Sequence, residues 1–90
     1  MGDGYAVRLL VTEHPHSLSV LPKLGLPTLV QALTDEDDSV RTAVVQALED
    51  LADPESIEPL AKVLNDRSSE VREKAAHALI HLGGNNAAAP

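Results

Sequence analysis

Slid along itself by 31 positions, the sequence matches itself. Residues 26–52 fall on residues 57–83 without a gap, and 8 of the 27 pairs are identical: Leu29/Leu60, Leu33/Leu64, Asp35/Asp66, Val40/Val71, Arg41/Arg72, Ala47/Ala78, Leu48/Leu79 and Leu51/Leu82. Chance at an ordinary composition gives roughly two. Other pairs exchange one aliphatic for another, among them Leu26/Ile57 and Val44/Ala75. The chain therefore encodes two copies of one structural unit, and a unit so short buries its apolar face only by stacking on a neighbour.

Each unit reads as two helices. Ile57, Leu60, Ala61 and Leu64 fall at i, i+3, i+4 and i+7, one stripe of a helix. Asp53-Pro54-Glu55 ahead of them is a start signal: an N-cap Asp, Pro at the first helical position and an acid in the first turn. Asn65-Asp66-Arg67-Ser68 breaks the stripe, and Ser68 caps a second helix through Val71, Ala75, Leu79 and Leu82, with Gly83-Gly84 as its expected stop. The first copy repeats this with Leu26, Leu29, Val30 and Leu33, a turn at 34–38 capped by Asp37, then Val40, Val44, Leu48 and Leu51. No stretch alternates with period two, so the expected fold is all-α. The alanines at 43, 47, 75, 76 and 78 favour helix and close helix packing.

The remaining segments are less regular. A third copy shifted by a further 31 fails, because it sets Glu13 against Val44 and Ser17 against Leu48. Residues 1–25 still carry the apolar clusters Val7-Leu9-Leu10-Val11 and Leu18-Val20-Leu21-Leu24, which predict a helix over about 5–13 and a Pro22-distorted helical piece over about 17–24. This region is expected to be a degenerate repeat or a cap. The organisation is thus 1–25, repeats at 26–52 and 57–83, and a flexible tail at 84–90.

Composition removes several classes of function. Tyr5 is the only aromatic among 90 residues, which excludes aromatic cages and base-stacking platforms. The core must come from 14 Leu, 12 Ala, 9 Val and 2 Ile. A formal charge of −7 disfavours nucleic acid and anionic membranes as partners. With no cysteine there is no disulfide, thiol nucleophile or thiolate metal site, and the expected setting is cytoplasmic.

The second helices read Val40-Arg41-x-x-Val44-Val45-x-Ala47-Leu48-x-x-Leu51 and Val71-Arg72-x-x-Ala75-Ala76-x-Ala78-Leu79-x-x-Leu82-Gly83. The Asp-Pro-Glu linker leads into Ile57-Glu58-Pro59-Leu60, and an Asp precedes an Arg by six residues in both copies, Asp35–Arg41 and Asp66–Arg72. On these motifs the chain resembles HEAT repeats, in particular the short HEAT-like repeats of phycobilisome-lyase-type proteins. Ile80 and Glu49 depart from that pattern, standing where the family often has Gly. The resemblance implies antiparallel helix pairs stacked as a short α-solenoid. It also implies that Asp35, Arg41, Asp66 and Arg72 form a structural Asp/Arg ladder between repeats. From geometry alone, an Arg in the first turn of the second helix reaches turn carbonyls and a carboxylate, within its own unit or from the next.

No catalytic constellation emerges. His77 and His81 stand four apart on one helix, the spacing of a shared metal, but the sequence contains no His-Glu pair such as the HEAT-like iron hydroxylases use; solvated surface histidines are expected. Glu13-His14-Pro15-His16 reads as a loop. Asp35-Glu36-Asp37-Asp38 fails as a calcium loop, since Val40 stands in place of the required Gly and Gln46 in place of the final Glu. No cofactor, metal or enzymatic activity is expected. The resemblance implies instead a small protein-interaction scaffold, with the second helices lining the partner face. Off the apolar stripe these offer Thr42, Gln46, Glu49, Asp50, Glu73, His77, Ile80 and His81. The alternative it implies is an accessory subunit of a bilin lyase/isomerase-type enzyme. An uncovered flank after residue 83 suggests either a weak homodimer or a fragment of a longer solenoid.

Overall fold

A computed structural model describes residues 3–13 and 15–87. Helix α1 spans Asp3–Glu13 and is followed by a 3-10 helix, Pro15–Leu24. Helices α2 (Leu26–Ala32) and α3 (Asp38–Leu51) form the first repeat. A 3-10 turn, Pro54–Ser56, leads into α4 (Ile57–Val63) and then α5 (Ser69–Ala87), the second repeat. No strand occurs among the described residues.

Local signals place the helix starts. The Asp37 carboxylate accepts from the Ser39 N–H at 2.8 Å and that of Asp53 from the Glu55 N–H at 2.9 Å, while the Ser68 hydroxyl takes the Val71 N–H at 3.4 Å. Both first helices are short and close in the same way. The N–H groups of Leu33, Thr34 and Asp35 bond back to the carbonyls of Val30, Gln31 and Ala32, and those of Leu64, Asn65 and Asp66 to Ala61, Lys62 and Val63. The repeat is thus preserved down to its turn hydrogen bonds.

A single aliphatic core runs through both units. Leu29, Val40, Val44 and Leu48 of the first meet Leu60, Val71, Ala75, Ala78 and Leu82 of the second, all buried. The leading segment joins the same core: α1 packs on α2 and α3, the Pro15–Leu24 helix packs on all three, and Val7 and Leu21 are buried. No helix among the described residues is long and apolar enough to cross a membrane.

Three expectations require correction. The helical piece before Gly25 begins at Pro15 and is 3-10, an unusually long stretch for this geometry. Gly25 then adopts φ 94°, a left-handed value that suits glycine, and delivers the chain into Leu26-Pro27. Second, Gly83-Gly84 does not stop α5, which continues to Ala87, so the expected flexible tail at 84–90 is helical as far as 87; residues 88–90 lie outside the described residues. Glycine permits a left-handed exit without requiring one. In α3 it is Ala52 that takes this exit, at φ 56°, because Asp53-Pro54 begins the next helix at once. Third, Leu79 is only half-buried whereas its counterpart Leu48 is fully buried, since α5 packs on α3 and α4 and no further unit covers it among the described residues.

Ala52 gives a direct check on this reading. Its Cβ is strained in the left-handed exit, so Ala52→Gly is expected to raise stability by about 0.5–1 kcal/mol. Denaturant midpoints measure this, and a loss of stability would contradict the assigned backbone.

Candidate functional site

Two features stand out where the repeats meet: a line of charged contacts through the turns, and the exposed side of the second helices.

Each turn aspartate is held from two directions. The Asp66 carboxylate accepts from Arg41 Nε at 2.8 Å and Nη2 at 3.0 Å, a two-pronged pair across the repeat junction. Its second oxygen also takes the Ser68 N–H at 2.8 Å. Meanwhile Arg41 Nη1 donates to the carbonyls of Asp35 at 2.7 Å and Glu36 at 3.0 Å in its own turn. Arg72 copies the second role, its Nη1 lying 2.8 Å from the Asp66 carbonyl. An Arg therefore bonds the carbonyl of its own unit and the carboxylate of the next. Arg67 adds a rung by donating to the Glu36 carbonyl at 3.0 Å. Arg41 is 3% exposed, so its charge is neutralised almost wholly by these partners.

The same geometry sets the charge state of Asp66. Burial by itself raises the pKa of its carboxyl. The Arg41 hydrogen bond, the Ser68 N–H and the charges of Arg41 and Arg67 outweigh burial and hold it below the ordinary aspartate value.

The first rung was not foreseen in the sequence. Arg8 of α1 donates through Nη1 to the Asp35 carboxylate at 2.7 Å, as Arg41 does to Asp66, while Asp35 also takes the Asp37 N–H at 2.9 Å. The signal is the dipeptide Val7-Arg8, which lies 33 residues before Val40-Arg41 rather than 31. A shift of 31 misses it by two. Val7, Val40 and Val71 are each fully buried, so α1 occupies the place of a second helix.

The residues expected to face a partner divide into two groups. Glu49 is 7% exposed and does not belong to a solvated face. It points toward α5, where Nδ1 of His77 and Nδ1 of His81 lie 3.4 and 3.2 Å from one of its oxygens, the other being buried without a hydrogen-bond partner. Thr42 is half-buried, with its hydroxyl oxygen enclosed and unpartnered. Gln46, also half-buried, accepts from Lys74 Nζ at 2.6 Å and donates to Asp50 at 3.0 Å. Stacking α5 on α3 brings Glu49 and Gln46 against α5. Asp50, Glu73, His77, Ile80 and His81 remain exposed, Ile80 at 74%. Both histidines are thus exposed, as a surface reading requires, but each also touches Glu49. No group of three or more His, Cys, Asp or Glu side chains among the described residues is arranged to hold a metal ion.

A recess lies between α2 and α4. It measures about 330 Å³ and is floored by Val30, Leu33 and Val63, with Glu58, Lys62 and Asp66 at its rim. Periodicity marks these aliphatics as core and does not reveal the gap between two seven-residue helices.

Two predictions follow from the charged contacts. Arg41→Ala removes a buried guanidinium and leaves the half-buried Asp66 carboxylate without its cation, and is expected to cost about 1–3 kcal/mol, against no more than about 0.5 kcal/mol for the exposed Arg72→Ala; chemical denaturation compares them. Because the Asp66 pKa is lowered on folding, its stabilisation is present above the unfolded aspartate value and disappears as pH falls through the folded value. Asp66→Asn is therefore expected to flatten the acid limb of a stability–pH curve while lowering stability at neutral pH. An unchanged acid limb would contradict the assignment.

A family model described as HEAT repeats matches residues 26–90. No curated protein matches the sequence. The matched region contains both helix pairs, their shared turn chemistry and the stack of α3 on α5, and on these grounds the chain belongs to the HEAT-repeat family.

Proposed function

We propose that this protein is a small interaction scaffold that binds a protein partner through the exposed side of its second helices. HEAT repeats are generally protein-interaction scaffolds, which supports binding over catalysis. The observation that carries the reading is Ile80: a large aliphatic 74% exposed on a regular helix, with Glu73, His77 and His81 exposed on the same helix and Asp50 on α3. An apolar centre within a polar rim is the anatomy of a binding patch. Gln46 and Glu49 support the patch from behind by joining α3 to α5. The acidic charge and the lack of cysteine fit a cytoplasmic setting and a partner whose surface is basic or mixed.

A photo-crosslinker at position 73 in the full chain tests this. It is expected to capture a protein from native lysate, and Ile80→Asp combined with Asp50→Lys is expected to cut the yield at least about tenfold. The same changes should move stability by no more than about 0.5 kcal/mol each, as surface substitutions do. Undiminished capture would remove this face as the binding surface.

A further inference from the structure

We propose that the recess between α2 and α4 binds a small aliphatic zwitterion of the size and charge of a free leucine. Its ammonium pairs with Glu58, its carboxylate with Lys62, and its side chain lies on the aliphatic floor. This site is separate from the exposed side of the second helices and stands without any partner there.

The way the repeats stack leaves the recess open. They meet through α3 on α5, and α4 packs on α5 and on the 3-10 turn before it. By contrast, α2 packs on α1, on the Pro15–Leu24 helix and on α3. The first helices are each seven residues long and do not pack extensively on one another. Val30 and Leu33 from one repeat and Val63 from the other floor the gap, Val63 buried and the other two half-buried. At about 330 Å³ the space lies at the small end of the roughly 300–1,000 Å³ typical of ligand pockets. Such a floor takes a side chain of a few carbons and not a long acyl tail.

The rim supplies two opposite charges. Glu58 and Lys62 stand four apart on α4, both exposed and both at the recess. A Glu four residues ahead of a Lys ordinarily pairs with it along a helix. Here that pair is not made, and among the described residues neither side chain has an ion pair or a hydrogen bond. The third charge at the rim, Asp66, is already neutralised by Arg41 at 2.8 Å. Nor do Glu58 and Lys62 belong to the repeat, since a shift of 31 sets them on Pro27 and Gln31. They are therefore not a stacking device of the unit.

Four residues of helix separate their backbones by roughly 6 Å along the axis. A ligand that carries an ammonium and a carboxylate on one carbon bridges two such side chains and answers both. A simple acid would meet Glu58 as a like charge, and a simple amine would meet Lys62 in the same way. The aliphatic floor beside them selects an α-amino acid whose side chain is apolar and short.

Amide chemical shifts of the full chain, recorded at pH 7 with increasing leucine, give the test. Saturable shifts are expected at Val30, Leu33, Lys62 and Val63. Leucine is expected to bind at least about tenfold more tightly than glycine, because only leucine has a side chain to bury. 4-Methylpentanoate lacks the ammonium and 3-methylbutylamine the carboxylate, and each is expected to bind about threefold or more weakly than leucine, as loss of one exposed ion pair implies. Lys62→Gln should abolish the preference for leucine over 3-methylbutylamine, and Glu58→Gln the preference over 4-methylpentanoate. Neither surface substitution should move the melting temperature by more than about 2 °C. Glycine or N-acetyl-leucinamide binding as tightly as leucine overturns the proposal. So do shifts that fail to saturate or that fall away from the recess.

Discussion

The stack depends on the carboxylate of Asp66. A turn between two helices carries carbonyls and N–H groups that a neighbouring repeat threatens to cover, and covering them unpaired is costly. Asp66 resolves this at one point. Its side chain takes the Ser68 N–H that would otherwise be free, and it neutralises an Arg41 that is itself anchored on the preceding turn. The ion pair thus lies at the junction of two units and satisfies polar groups on both sides. A hydrophobic contact would hold the units together as well, but without direction. The fork geometry fixes their register.

That arrangement also explains why the leading segment is part of the fold. Without Arg8, the half-buried Asp35 carboxylate would have no cation, and without Val7 and Leu21 the core would lose two buried aliphatics. The leading segment lacks the linker motif of the other units, yet Val7 and Leu21 enter the core and Arg8 pairs with Asp35.

The two second helices share a pattern but differ in environment. α3 packs on both α1 and α5, so a glutamate and a glutamine on it become groups that join helices. α5 packs on α3 and α4, and among the described residues no further unit covers its remaining side. Equivalent positions there are exposed, and the one occupied by Glu49 in α3 is filled by an aliphatic. Position in the array, not residue type, determines whether such a side chain is enclosed between helices or exposed.

The aliphatic stripes, the capping residues Asp37, Asp53 and Ser68 and the 31-residue shift determine by themselves that the chain makes two like helix pairs, because these are local and periodic signals. The paired Asp and Arg are equally legible, since their spacing places both near one turn. Three things needed the tertiary structure. Arg8 was hidden by a two-residue change in spacing, which no fixed register detects. The burial of Glu49 against His77 and His81 was hidden because one helix's periodicity shows which residues leave its own core stripe, not which of them the next helix covers. The continuation of α5 past Gly83 was hidden because a glycine's freedom becomes a turn only where the following residues draw the chain back, as Asp53-Pro54 do after Ala52. Contacts between helices are set by stacking, and stacking is a property of neighbours that no single helix carries in its own sequence.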